Sequence, residues 1–344
     1  MSDFAVLVEV TRGSLVESRH LGALAIVDSS GRLLYQVGSA DLVSYLRSSA
    51  KPLQAVAVLE SGAAEHFGLT DREIAIFAGS HSGEPFHTAT VAGILGKIGL
   101  RVEDLACGAH APMHKDTARC LEAAGEPPSA LHNNCSGKHA GMLALARHLE
   151  APTQGYFLPG HPVQRRIIAV VAALCDTPET AIALGVDGCG VPVFGLALRQ
   201  AAYGFARLAD PRGLAPLRAR AIQRMVGAMH GFPEMVAGTD RFDTDLLRQT
   251  APRLICKGGA EGYYCLGLPP DIQAGRPLGL GLALKIADGD QSGRARPVAA
   301  IQALRLMGIL SSQDETALAK YGRPEVRNHR GDVVGQVRPA FALE

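Results

Sequence analysis

Ser48 precedes Lys51 by three residues in the stretch RSSAKPLQAV, residues 47–56. On a helix that spacing puts both side chains on one face, within reach of a hydrogen bond. Pro52 suits a first helical turn, where its missing N–H does little harm. The pattern therefore predicts a helix starting at Ser48, with its hydroxyl near the positive end of the helix dipole, where an oxyanion is stabilised. Two readings satisfy the spacing: a serine nucleophile with a lysine base, or a capping serine followed by a surface lysine.

The catalytic reading needs more than the pair. A free lysine has a pKa of about 10.4 and is neutral in fewer than ~1 in 1000 molecules at pH 7, so freeing the amine costs about 4.6 kcal/mol. Burial and a second nearby ammonium both lower that pKa. Further parts are present in the chain. AGSHSGE (78–84) offers Ser80, His81, Ser82 and Glu84 in a glycine-flanked turn, and CKGGAEG (256–262) supplies Lys257 ahead of paired glycines that let backbone approach a ligand closely. Ser-x-x-Lys, then a second serine motif, then Lys-x-Gly is the order of parts in serine β-lactamases and penicillin-binding proteins. A fold that brings Lys51 and Lys257 together would supply both burial and crowding.

A second constellation lies mid-chain. HNNCSGKHAGML (132–143) carries Cys135, Lys138 and His139, and VDGCGVP (186–192) holds Asp187 and Cys189 between glycines. The cysteines are either structural thiols in turns or two ligands of an open tetrahedral metal site completed by one nitrogen and a water. No CxxC pair exists, so spacing alone gives no standard zinc site.

These residues need elements to position them. FAVLVEV (4–10), then GALAIVD and RLLYQVG separated by Ser29, Ser30 and Gly31, predict strands joined by a hairpin turn. Apolar stripes at Met142, Leu145, Ala146 and Leu149, at Val163, Ile167, Val170, Val171 and Leu174, and at Ile222, Met225, Val226 and Met229 predict helices. LGLGLALKIAD alternates like a strand, and PVAAIQALRLMGIL predicts a closing helix. DPRGLAP (210–216) reads as a surface loop. The expected architecture is an α/β sandwich, an antiparallel sheet flanked by helices, forming one domain over 1–344 with a helical portion (about 52–230) inserted between N- and C-terminal strands. No phosphate-cradling glycine loop follows a strand.

Composition removes several function classes. Thirty-four basic against thirty-three acidic residues leave a net charge of +1, so a nucleic-acid partner is not expected. No apolar run approaches the ~20 residues of a membrane span, and the N-terminus lacks the pattern of a secretory signal. Seven cysteines, an odd number, fit reduced thiols in the cytoplasm. Only seven of the basic residues are lysine, Lys51, Lys97, Lys115, Lys138, Lys257, Lys285 and Lys320, and lysine, unlike arginine, can act as a neutral amine.

RGSLVESRH, RSSAKP, SHSGE, NNCSGKHAGML, GHPVQ, DGCGVP and KGGAEG, spread from about residue 12 to 262, resemble the Rhizobium etli-type bacterial L-asparaginases. The resemblance implies a fold similar to the serine β-lactamases, hydrolysis of L-asparagine to aspartate and ammonia, and two Ser-Lys tandems, Ser48 with Lys51 and Ser80 with Lys257. It implies a zinc site near the substrate made by Cys135, Lys138 and Cys189, with Asp187 and His139 beside it and Arg47 and Glu84 lining the pocket. It also implies a homodimer. The chain departs from the pattern in GTDRFDT (238–244), where Asp243 replaces a cysteine. The expected mechanism is acyl transfer, with Ser48 as nucleophile, Lys51 as base, Ser80 and Lys257 relaying protons, and zinc orienting the substrate. A serine-dependent glutaminase, a penicillin-interacting peptidase and a non-enzymatic amino-acid sensor are the rival readings.

Overall fold

The computed structural model describes residues 3–343. Its strands are β1 (Ala5–Arg12), β2 (Leu15–Asp28), β3 (Leu33–Val37), β4 (Val43–Tyr45), β5 (Ala183–Val186) and β6 (Pro192–Ala197). β7 (Ile255–Gly258), β8 (Tyr263–Leu268), β9 (Leu280–Ile286), β10 (Glu325–Arg327) and β11 (Val333–Pro339) follow. The chain divides into two compact units: Met1–Ser49, Leu196–Asp210 and Gly258–Glu344 form the first, Ala50–Gly195 and Pro211–Lys257 the second.

The first unit is built on an antiparallel sheet in the order β10-β11-β1-β2-β9-β8. β2 is the long central strand. Its first half pairs with β1, its second half with β3, and β9 runs along Gly22–Asp28 with Ala25 opposite Ala283. The helix Leu198–Ala209 packs on β2, β8 and β9, and the helix Ala295–Leu306 on β1, β8, β9 and β11. β8 is buried at every residue, and its continuous apolar run is what a strand covered on both faces requires. The Asp290 carboxylate starts the last of these helices by accepting from the Ala295 and Arg296 N–H groups at 2.9 and 2.8 Å. The expected antiparallel sheet flanked by helices is therefore present. The apolar stripe near residue 300 does not close the chain, however. β10 and β11 follow it, and β11 pairs with β1, with Val8 opposite Pro339. Both strands are short or half-exposed, so they carry little of the alternating signal that marks a sheet edge.

The second unit is helical. The helix Lys51–Glu60 is buried from Lys51 through Leu59 and packs on Pro162–Leu174, Pro216–Gly231 and Ser136–His148. It is apolar on nearly every side, which is the mark of a central helix. Arg218 ties its end down through both Glu60 oxygens, at 2.8 and 3.1 Å. The helix does not start at Ser48 as the spacing predicts. A 3-10 turn, Arg47–Ala50, precedes it, and Ala50 occupies the N-cap without a side-chain bond. Arg47 sits in the left-handed region at φ 50°, which interrupts regular helix at that point. Among the described residues, no helix is long and apolar enough to cross a membrane.

Gly281 in β9 shows how tightly the sheet meets its cover, since a Cβ there would run into the Ala202 carbonyl and the Ala206 nitrogen. Gly281→Ala is expected to cost about 3 kcal/mol by overpacking. Gly96→Ala, in a helix with open space around the position, should be neutral or stabilising by roughly 0.5–1 kcal/mol. Urea unfolding of both variants checks the contrast.

Candidate active site

Lys51 opens the central helix of the second unit, and its amine is 1% exposed. Nζ lies 2.6 Å from the Gly79 carbonyl, 3.1 Å from the Asn134 carbonyl and 3.0 Å from Ser80 Oγ. Two carbonyls can only accept. An ammonium donates to both carbonyls and to Ser80 Oγ, whereas the neutral amine that burial favours gives its two hydrogens to the carbonyls and offers its lone pair to the Ser80 hydroxyl. Burial is the largest influence on this amine and lowers its pKa. The Lys138 ammonium pushes the same way, the Cys135 and Cys189 sulfurs oppose, and the net shift is downward from 10.5. The ammonium acting on Lys51 is thus that of Lys138, whereas the sequence pointed to Lys257.

The turn carrying Ser80 is held from behind by residues 235–239. Gly79 admits no Cβ because the Met235 carbonyl fills that space. The Ser80 N–H donates to the Val236 carbonyl at 2.8 Å, and Ser82 Oγ donates to Ala237 O at 2.8 Å. Gly238, at φ 121°, packs against Ser82 and Glu84 where a side chain would collide. Both Glu84 oxygens are used by Thr239, accepting from its N–H at 2.9 Å and its hydroxyl at 2.7 Å. His81 and His87 stack behind the turn, and burial drives both pKa values down, His87 to about 4. His81 Nδ1 accepts from Gly83 N–H, so Nε2 donates to Ser136 Oγ at 2.8 Å. These are packing roles.

Ser136 begins the helix Ser136–His148, which carries the second constellation. Its glycines are explained by close approach: a Cβ on Gly137 would meet the Ile76 carbonyl, and one on Gly141 would lie 3.0 Å from the Phe77 ring. The helix therefore packs directly on the 3-10 turn Ile76–Ala78 that leads to Ser80. Asn133 braces its start, accepting from Cys135 N–H and donating to Cys107 O, both at 2.8 Å. Lys138 Nζ lies 3.0 Å from Cys189 Sγ. Cys189 sits in a tight turn in which the Asp187 N–H donates to Val191 O at 2.9 Å and Gly190 N–H to Asp187 O at 2.8 Å.

The two thiols share a proton. A hydrogen bond from Cys189 to Cys135, aided by Lys51 and Lys138, holds the Cys135 pKa far below 9.0, and the same bond raises Cys189. Cys135 Sγ also lies 3.2 Å from Asn134 Oδ1. Burial disfavours the Lys138 ammonium, but Cys135, Cys189 and Asp187 together outweigh it and raise its pKa. Two sulfurs and a nitrogen in mutual reach make a donor set suited to zinc once Lys138 gives up its proton. Among the described residues no group of three or more His, Cys, Asp or Glu is placed to hold a metal, so a metal here depends on the lysine. Cys107 lies close enough that burial and Cys135 push its thiol up to about 11.

Lys257, on β7, faces Asp243 at 3.5 Å, and both are buried. Asp243, singled out in the sequence as an aspartate, thus forms an ion pair with Lys257. Arg47 and Ser48 are half-buried in the 3-10 turn at the end of a first-unit segment. The second unit gathers Lys51, Ser80, Cys135, Lys138, Cys189 and, through its field on Lys138, Asp187. Sequence reasoning missed the Asn134 carbonyl, Thr239, the Asp243 ion pair and Tyr156, which lies 2.6 Å from His139 Nδ1. Asn134 lies inside a motif already singled out. Thr239 and Tyr156 sit in loops with no pattern to mark them.

The chain belongs to the L-asparaginase II family, whose model matches residues 8–339. A search of curated proteins finds no match. Among solved structures, the chain is similar to Mglu in its native form, with 13% identity, TM-score 0.46, and coverage of 86% of this chain and 66% of that one. It is also similar to a probable glutaminase from Bacillus subtilis complexed with 6-diazo-5-oxo-L-norleucine, at 12% identity, TM-score 0.39 and 84% coverage of each chain. The chain thus spans just under two thirds of the length of Mglu.

Because Thr239 presents two donors to Glu84, Glu84→Gln places an amide N–H where an acceptor is needed. The expected loss is about 1–3 kcal/mol, with faster proteolysis at 237–240. Unchanged melting and cleavage would show that Thr239 finds other acceptors.

Proposed function

We propose that this L-asparaginase II family member is a serine-dependent amidohydrolase that converts L-asparagine to L-aspartate and ammonia. The observation that carries the reading is the buried Lys51 amine, held by two carbonyls with its remaining valence at Ser80. A lysine so placed is a base ready to accept a hydroxyl proton.

Ser48 is the proposed nucleophile, with Lys51 as the base that receives its proton and Ser80, 3.0 Å from Nζ, as the relaying hydroxyl. The serine attacks the side-chain amide carbon, the C–N bond breaks, and the proton held by Lys51 leaves with ammonia. Water then cleaves the aspartyl ester, and the same amine takes the water's proton and returns it to the departing serine oxygen, which restores the hydroxyl and the neutral base. Lys257, fixed by Asp243, contributes positive charge. Arg47, Glu84, Asp187 and His139 are the proposed pocket residues, Glu84 by holding the loop at Thr239. Cys135, Lys138 and Cys189 would hold zinc, which supplies a positive centre for orienting the polar groups of a substrate when bound. The proposal includes a homodimer, which rests on the family resemblance, a cytoplasmic setting, which rests on the cysteine usage, and no nucleic-acid or membrane partner.

Ammonia release from asparagine and glutamine, measured side by side, tests the substrate, and a preference for glutamine would make the enzyme a glutaminase. Lys51→Met should lower kcat/KM by about a hundredfold or more. A diazoketone analogue of asparagine should label the peptide containing Ser48, and labelling of Ser80 would transfer the nucleophile role to it. A chelator should raise KM more than it lowers kcat.

The pH dependence has a fixed sign. The base must be neutral, so kcat/KM falls as pH drops through the pKa of Lys51, which lies below 10.5. An unfolded lysine binds its proton at higher pH than folded Lys51, so stability also falls as pH drops through that window. Lys51→Met should flatten both limbs.

A further inference from the structure

We propose that Tyr156 is a positioning residue that fixes His139 as a donor through Nε2, and that this N–H anchors the α-carboxylate of the amino-acid substrate. The carboxylate half of this inference rests on the function proposed above.

Hydrogen-bond accounting fixes the tautomer. Tyr156 is 1% exposed. Its oxygen accepts from the Ala106 N–H at 2.9 Å and lies 2.6 Å from His139 Nδ1. Among the described residues, its single hydrogen has one acceptor, His139 Nδ1. Were Nδ1 protonated, the tyrosine oxygen would face two donors and its own O–H would be buried with nowhere to go. Nδ1 therefore carries the lone pair, and the ring hydrogen sits on Nε2.

That Nε2 is completely buried and has no hydrogen-bond partner among the described residues. Buried donors are rarely left so, and one left open beside a reaction centre marks a place for a ligand atom. The surroundings select the ligand's charge. The hydrogen-bond count leaves the imidazole neutral, and the ring stands near the N-terminus of the helix Ser136–His148, directly after the Lys138 ammonium, where the helix dipole adds to a positive field. A donor in a positive field is complementary to an anion. In an amino-acid amide the only permanent anion is the α-carboxylate. His139 is the fourth residue of the helix Ser136–His148 and directly follows Lys138. Tyr156 lies in an irregular stretch between helices, so its hydroxyl is set by tertiary packing.

Nitrogen NMR of histidine-labelled free enzyme reads the tautomer without substrate, with His139 assigned by the signals lost in His139→Gln. The expected result is a protonated Nε2 and an unprotonated Nδ1, and the reverse would overturn the proposal. Tyr156→Phe should blur that signature and raise KM for asparagine by about tenfold or more, with kcat near that of the wild type. For 3-aminopropanamide, which is asparagine without its α-carboxylate, the same substitution should leave KM unchanged. An equal rise for both amides, or a fall in kcat alone, would sink the anchor role. Calorimetry with L-aspartate and β-alanine separates this inference from the reaction. If neither amide releases ammonia, the proposed function fails, and the anchor then stands if aspartate binds tighter than β-alanine and Tyr156→Phe erases the difference. It falls if aspartate does not bind.

Discussion

The desolvated amine of Lys51 is the constraint around which the second unit is arranged. An ammonium removed from water is penalised, and the penalty is reduced by neutralisation. The fold keeps enough acceptors at Nζ for a lysine to lie there, yet no carboxylate among its hydrogen-bond partners to hold the proton. Carbonyls orient an amine without carrying a full charge. Gly79 and Asn134 therefore do what an aspartate could not, since an aspartate at 3 Å would lock Lys51 as a cation.

Delivering two carbonyls to one point requires two backbones in close approach. The Gly79 carbonyl belongs to a turn pressed against Met235, and the Asn134 carbonyl precedes a helix pressed against Ile76. Each approach is closed to any residue with a Cβ. The glycines of the serine turn and of the cysteine motif are thus parts of one device that sets the position of a lone pair. The thiols belong to it as well. Negative charge on the Cys135 and Cys189 sulfurs draws a proton toward Lys51, while an ammonium at Lys138 drives it off. Charge at the sulfurs and basicity of Lys51 are coupled across the site, and anything that neutralises the sulfurs shifts the balance toward a neutral Lys51.

What the sequence disclosed follows from the range of each interaction. The strands β2 and β9 and the helices at 142–149, 163–174 and 222–229 were legible because burial on one face or both leaves a periodic trace. The chemical residue types were legible as well, because a rare lysine near serines, or a cysteine beside lysine and histidine, is local information. Pairing was less accessible. Lys51 meets Ser80 across 29 positions, Lys138 meets Cys189 across 51, and Thr239 meets Glu84 across 155. The helix start at Ser48 was misread because a positive φ at Arg47 is set by tertiary context, and arginine gives no sign of it. β10 and β11 escaped because half-exposed edge strands need not alternate.

The scarcity of lysine has a physical reading once the structure is seen. Lys51, Lys138 and Lys257 are each less than 5% exposed, whereas Lys97 is 36% exposed and salt-bridged to Glu73. The three buried amines meet three kinds of partner: two carbonyls and a hydroxyl, two sulfurs, and a carboxylate. Burial lowers the pKa of the first, and the charge around the second raises its pKa, so one side-chain type meets contrasting environments within a single unit. Arginine could serve only beside the carboxylate, because a guanidinium does not surrender its proton at any working pH. A chain that meets its other needs for positive charge with arginine keeps such amines distinct, and no surface selection for charge can explain three lysines buried this deeply.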